Sequence, residues 1–101
     1  VASGLMSAAQ MSRLLSENQA KLFGMWPHKG QLAQGADADI TVWDPQARWV
    51  IRAEAQHQNV DYTPYEGFEA AGRARAVYVG GQLAAKDGEP SGASAGRYVK
   101  R

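Results

Sequence analysis

The sequence predicts an α+β fold that is mainly β, with an N-terminal helix or helix pair followed by about four or five short strands. Three observations predict it. Apolar residues recur at helical spacing between Ser7 and Gly24, and the pattern changes to alternation from Lys29 onward. Glycine and proline then divide the rest of the chain into short runs. The division falls at residues 1–28 for the helical segment and 29–101 for the β part.

Ser7-Ala8-Ala9-Gln10 has capping-box spacing, in which a hydroxyl accepts an early helical N–H and an amide reaches back from three residues later. Met11, Leu14, Leu15 and Leu22, with Phe23 beside them, form one apolar face. Lys21 in the last turn and Gly24 after it end the helix. The polar stretch Ser16-Glu17-Asn18-Gln19 allows one helix or two short ones bent near Asn18. Trp26-Pro27 closes the helical region, because proline disfavours helix in the residue before it.

Ile40 to Asp44 and Arg48 to Arg52 read as a first hairpin, with Pro45-Gln46-Ala47 as its turn. Ala53 to Gln58 has the length of one helical turn, and Asp61 to Gly67 reads as a loop with aromatic anchors. A second hairpin follows, Ala74 to Val79 and Gln82 to Lys86, joined by Gly80-Gly81, which tolerates the positive φ of a tight turn. Asp87-Gly88 starts another turn, and Pro90 to Gly96 is small, polar and expected to be flexible.

Composition excludes several functions. With no cysteine there is no disulfide scaffold, thiol nucleophile or Cys-based zinc site, which fits a reducing, cytoplasmic setting. No apolar run reaches the ~20 residues that span a bilayer, and Val1 to Leu5 has no signal-peptide pattern. A net charge of +1 gives no reason to expect nucleic acid or anionic membrane as partner. The one basic cluster, Arg97 to Arg101, reads as a solvated terminus. Alanine supplies 18 residues of a 45% hydrophobic fraction, so the core is thin. Either a partner surface supplies the missing apolar area, or the chain is part of a larger folding unit.

Catalytic motifs are missing too. His28 and His57 lack the spacing that puts two ligands on one metal and read as surface residues. Asp37 and Asp39 could help hold a hard cation but read as turn residues bonding nearby N–H groups. Asp61 and Glu66 would form an acid/base pair only if the loop buried them together. Gly80-Gly81 lacks phosphate-loop spacing, and no Gly-x-Ser-x-Gly elbow occurs. Trp43, Trp49, Tyr62 and Tyr65 are the candidate interaction face, although packing is the commoner fate of such rings. No catalytic, cofactor-binding or metal residue is assigned.

Longer strings resemble one family. Ser16 to Met25, Lys29 to Pro45, Val60-Asp61-Tyr62-Thr63-Pro64-Tyr65-Glu66-Gly67 and Gly72 to Gly81, then Asp87-Gly88-Glu89, occur in order as in cyclic amidohydrolases. That family includes allantoinase, dihydroorotase, dihydropyrimidinase and hydantoinase. The resemblance covers about residues 7 to 99, and Tyr-Thr-Pro-Tyr-Glu-Gly leans toward the allantoinase and hydantoinase branch. Gln19 departs from it, standing where the family usually has proline and leaving the helix free to run straight through.

The resemblance implies the C-terminal structural portion of an enzyme that hydrolyses a cyclic amide C–N bond with zinc or another divalent metal. The family's ligands (a His-x-His pair, a carboxylated lysine, two more histidines and an aspartate) lie on barrel strands that would precede Val1. None carries over, so the chain alone is expected to be inactive. Residues 1–28 would end the barrel region, and 29–101 would form a small composite domain, an incomplete β-sandwich. Leu14, Leu15, Leu22, Phe23, Ile40, Val42, Val77 and Val79 are the expected core. Alone, such a chain is expected to homo-oligomerise through exposed strand edges or helix exchange. The alternative is a free-standing β interaction module whose binding face is Trp43, Trp49, Tyr62 and Tyr65.

Overall fold

A computed structural model gives the structure of the chain and describes residues 1–94 and 96–100. The helical segment begins at the capping box. Ser7 Oγ accepts the Gln10 N–H at 3.2 Å, and Gln10 Oε1 accepts the Ser7 N–H at 2.8 Å. Helix α1 (Ala8–Ser12), a π-helical turn (Arg13–Glu17) and α2 (Asn18–Leu22) follow with helical dihedrals at both junctions. The segment is therefore one helix, continuous through Gln19 but not straight-run α. Its middle turn is widened, and the Gln19 side-chain amide donates to the Leu14 carbonyl at 3.3 Å.

The helix ends in a Schellman motif. Gly24 takes φ +72°, its N–H bonds the Lys21 carbonyl, and the Met25 N–H bonds that of Ala20 at 2.8 Å. Lys21 Nζ pairs with Glu17 and lies 4.5 Å from the centre of the Trp26 ring.

Among the described residues, four antiparallel strands form one open sheet in the order β1 (Ile40–Val50), β2 (Glu69–Val79), β3 (Gln82–Lys86) and β4 (Glu89–Pro90). The mainly-β class, the N-terminal helix and the unclosed sheet are as the sequence predicts. The first hairpin is not. Ile40 to Val50 is a single strand paired along its length with β2, from Ile40 opposite Tyr78 to Val50 opposite Glu69.

Pro45-Gln46-Ala47 is a bulge in that strand rather than a turn. Asp44 opposes Arg73 and Arg48 opposes Ala71, so three residues face Gly72 alone. Asp44 Oδ1 accepts the Gln46 N–H at 3.0 Å, and Gly72 opposite takes φ +89°. A proline is tolerated there because residues 45–47 stand outside the ladder pairing, in a bulge of an edge strand.

The second hairpin forms as expected, with Gly80 and Gly81 both at positive φ. The turn at Asp87-Gly88 and the helical turn at Ala53–Ala55 also form. Within the stretch Pro90 to Gly96, Pro90 belongs to β4, and Ser91 bonds Leu83 and Ala84; Ala95 lies outside the described residues, as does Arg101 of the basic cluster.

The expected core needs correction. Ala20 is the one buried hydrophobic residue described, at 3% exposure. Ile40, Val77 and Val79 are half-buried, but Leu14, Phe23 and Val42 are about half exposed, and Leu15 and Leu22 are 71% and 75% exposed. The helix packs on the sheet through no broad face, so its leucines meet solvent.

A folded monomer of this mass exposes about 5,600 Å². This chain exposes 7983 Å², an excess of roughly 2,400 Å², or about three times what one partner contributes to a standard interface. Its radius of gyration, 15.2 Å, likewise exceeds the ~13 Å usual at this length.

Candidate functional site

Three arrangements bring polar and aromatic groups together. The first joins the helix to the sheet. Gly30, at φ +87°, lies so close to the helix that a Cβ there would stand 2.6 Å from Ala20 Cβ and 3.2 Å from Glu17 Cα and the Ser16 carbonyl. The neighbouring Lys29 ammonium pairs with Asp37 at 2.9 Å and with Asp39. Asp39 Oδ1 accepts the Gly80 N–H at 2.9 Å, and the Gly81 N–H bonds the Ala38 carbonyl at 3.0 Å.

Residues 29–39 thus fasten the helix end to the β2–β3 turn. Hydrogen bonds from Lys29 hold both carboxyls below the usual range, aided at Asp39 by the Gly80 N–H, and the two aspartates raise Lys29. The groove there, about 590 Å³, is lined by Lys29, Asp37, Asp39, Gly80, Gln82 and Arg97 among others. With Lys29 held between the two aspartates, the donor set is a structural clamp.

The second arrangement braces the bulge. Arg75 reaches Asp44 Oδ2 from Nε and Nη2 at 3.3 and 3.0 Å, and Asp87 Oδ1 from Nη1 at 3.5 Å. The Gln46 N–H and then Arg75 lower the Asp44 carboxyl, and Asp44 in turn raises Arg75. Arg73 lies 5.6 Å from the Trp49 ring centre, and the Trp49 Nε1–H donates to the Gly72 carbonyl at 3.0 Å.

The third is the loop between β1 and β2. The Ile51 N–H bonds the Phe68 carbonyl at 2.9 Å and the Gly67 N–H bonds that of Ile51 at 2.8 Å, closing the loop at its base. Glu66 Oε2 accepts the Ala53 N–H at 2.7 Å, and its other oxygen faces Arg52 at 3.6 Å. Thr63 Oγ1 accepts the Tyr65 N–H, and the Gln58 amide holds the Val60 and Tyr62 carbonyls. Tyr65 and Phe68 meet edge to face at 6.1 Å.

Of the candidate interaction face, Trp43 sits in β1 opposite Ala74, more than half exposed, while Tyr62 and Tyr65 stand exposed on the loop. Trp49 is half-buried and engaged by Gly72 and Arg73. Asp61 and Glu66 line one groove of about 400 Å³ with Arg52, Tyr62 and Thr63, but both are exposed, so the burial an acid/base pair needs is not met. His57 Nε2 lies 3.0 Å from the Gly88 carbonyl.

Among the described residues, no three His, Cys, Asp or Glu side chains form a group that could hold a metal ion, and no helix is long and apolar enough to cross a membrane. Sequence reasoning missed Lys29, Gly30, Arg73 and Arg75. For the last two the available signal was a pair of arginines two apart, although Arg75 is the extra residue where β2 slips register between Ala74 and Ala76.

Residues 2–85 match the sequence pattern described as the amidohydrolase family. The D-hydantoinase of Ralstonia pickettii is 39% identical over 97% of this chain, which spans 22% of that protein. The crystal structure of dihydropyrimidinase from Brevibacillus agri superposes on all of this chain with a TM-score of 0.93 at 43% identity, again over 22% of its own length. The L-hydantoinase of Arthrobacter aurescens matches over 87% of the chain at 31% identity and a TM-score of 0.83. The chain spans about a fifth of the length of the relatives it matches.

Proposed function

Because the chain belongs to the amidohydrolase family, we propose that it is the C-terminal structural portion of a metal-dependent cyclic amidohydrolase of hydantoinase type. The parent enzyme would hydrolyse a ring C–N amide bond in a small cyclic substrate. The observation that carries this reading is a match over nearly the whole of this chain to about a fifth of its relatives. The uncovered apolar surface agrees with it, since a segment folded within a longer chain leaves open the faces its neighbours cover. Residues 1–28 would pack on the larger body, and 29–101 would form a composite β domain whose sheet is completed along the outer edge of β1.

The residues present do not fit a catalytic zinc or other divalent ion. Lys29 holds Asp37 and Asp39, and His57 faces the Gly88 carbonyl. The metal and the reacting groups are assigned to the rest of the parent, and no chemical step is assigned to this chain. The absence of cysteine favours a cytoplasmic setting. Alone, the chain would homo-oligomerise through the β1 edge or by helix exchange; light scattering that finds a stable monomer at high micromolar concentration contradicts this.

A hybrid tests the main reading: this chain replaces the matching segment of the Ralstonia pickettii D-hydantoinase. The hybrid is expected to hydrolyse hydantoin with a metal requirement, and the 101-residue chain alone to be inert. A hybrid that cannot fold or turn over, or a chain active by itself, refutes it.

A further inference from the structure

We infer that the loop between β1 and β2 is a docking surface for the remainder of the same polypeptide, an inference that rests on the reading just given. The loop is built to hold a fixed shape. Its base is closed by the Ile51–Phe68 and Ile51–Gly67 bonds, and its interior is tied by Glu66, Thr63 and Gln58 to backbone groups. The side chains it presents are the ones water disfavours. Val60, Tyr62, Tyr65 and Phe68 are each between 51% and 68% exposed.

Ordering a loop costs entropy, and this one gains no buried apolar core of its own to offset it. Exposed tyrosines on a fixed backbone instead have the properties of interface anchors: large contact area, few rotamers and a polar tip. The loop's exposed side chains are part of a whole-chain excess of roughly 2,400 Å², which the helix leucines share. The relatives supply the occupant's identity. The Brevibacillus agri structure matches all of this chain, loop included, within a protein more than four times as long. The loop therefore keeps its course in a setting where most of the polypeptide is still to be placed around it. The adjoining groove, lined by Arg52, Glu54, Asp61 and Glu66, gives a charged rim to the apolar patch.

The test uses the hybrid enzyme with Val60→Ser and Tyr62→Ser, which leave the Tyr65–Phe68 contact untouched, beside the conservative pair Val60→Ile and Tyr62→Phe. The serine pair is expected to lower the heat-inactivation midpoint by about 5 °C or more with KM unchanged, and the conservative pair to restore it. A serine pair that matches the parent hybrid overturns the docking role. A raised KM at unchanged midpoint overturns it in favour of substrate contact, and a changed subunit assembly at unchanged midpoint in favour of a second copy. If the unmutated hybrid fails to fold, the reading beneath the inference fails first and carries the inference with it.

Discussion

Replacing Gly30 with alanine perturbs the contact on which the helix rests. Two costs add. At φ +87° an alanine pays about 1–2 kcal/mol for a left-handed backbone. The new Cβ would also stand 2.6 Å from Ala20 Cβ, closer than real Cβ contacts come, and its other neighbours at 3.2 Å are backbone atoms that cannot swing away. Overpacking of this kind costs about 1–3 kcal/mol.

Gly35 separates the two. It has φ +88° but nothing within 4 Å of its would-be Cβ, so Gly35→Ala pays only the conformational cost. In the hybrid enzyme, thermal unfolding of Gly30→Ala is expected about 1–3 °C below that of Gly35→Ala. Adding Ala20→Gly to Gly30→Ala removes the shortest contact, so the double substitution is expected to cost less than the sum of the two single ones, a non-additivity that distant sites would not show. Equal midpoints for the two glycine variants would refute the close packing of residue 30 on the helix.

Other consequences follow from the same contacts. Ser7→Ala removes the capping hydroxyl and is expected to cost about 1 kcal/mol, read as lost helical signal by circular dichroism. Trp49→Phe keeps most of the ring but leaves the Gly72 carbonyl without its donor, a loss of about 1 kcal/mol by denaturant titration. The Lys29 clamp gives a pH dependence of definite sign. Asp37 and Asp39, lowered in the fold, stabilise it above about pH 4 and lose that contribution as pH falls through their lowered values. Lys29, raised, contributes below 10.5 and loses its contribution as pH rises through its folded value. Lys29→Met is expected to remove the alkaline limb and weaken the acid one in a stability–pH profile; a profile identical to the parent's contradicts the clamp.

Local features were legible in the sequence where short-range chemistry alone decides them. Ser7 with Gln10, Gly24 and the Gly80-Gly81 pair each specify a cap or turn through their own bonding and dihedral freedom. Pro45-Gln46-Ala47 carries the same kind of signal and misled, because a bulge and a hairpin turn use the same residues. Only the long-range pairing of Asp44 with Arg73 and Arg48 with Ala71 separates them. Leu15 and Leu22 have the periodicity of a buried face, and that periodicity is real. It says that the face seeks cover, but not whether these 101 residues provide it. The Gly30–Ala20 contact and the Lys29 clamp were illegible because each joins a loop to an element through space. The strings that carry the family resemblance include these very residues, but the resemblance assigned them no contact.

In the proposed parent, the helix leucines and the aromatic loop are covered by the rest of a longer enzyme. Hydroxyl-radical footprinting of the hybrid, folded and then in urea, measures that cover directly. Leu14, Leu15, Leu22, Tyr62 and Tyr65 are expected to be strongly protected in the folded hybrid relative to the unfolded one. Labelling of these residues in the folded, active hybrid at the level of their open exposure in this chain would contradict the claim.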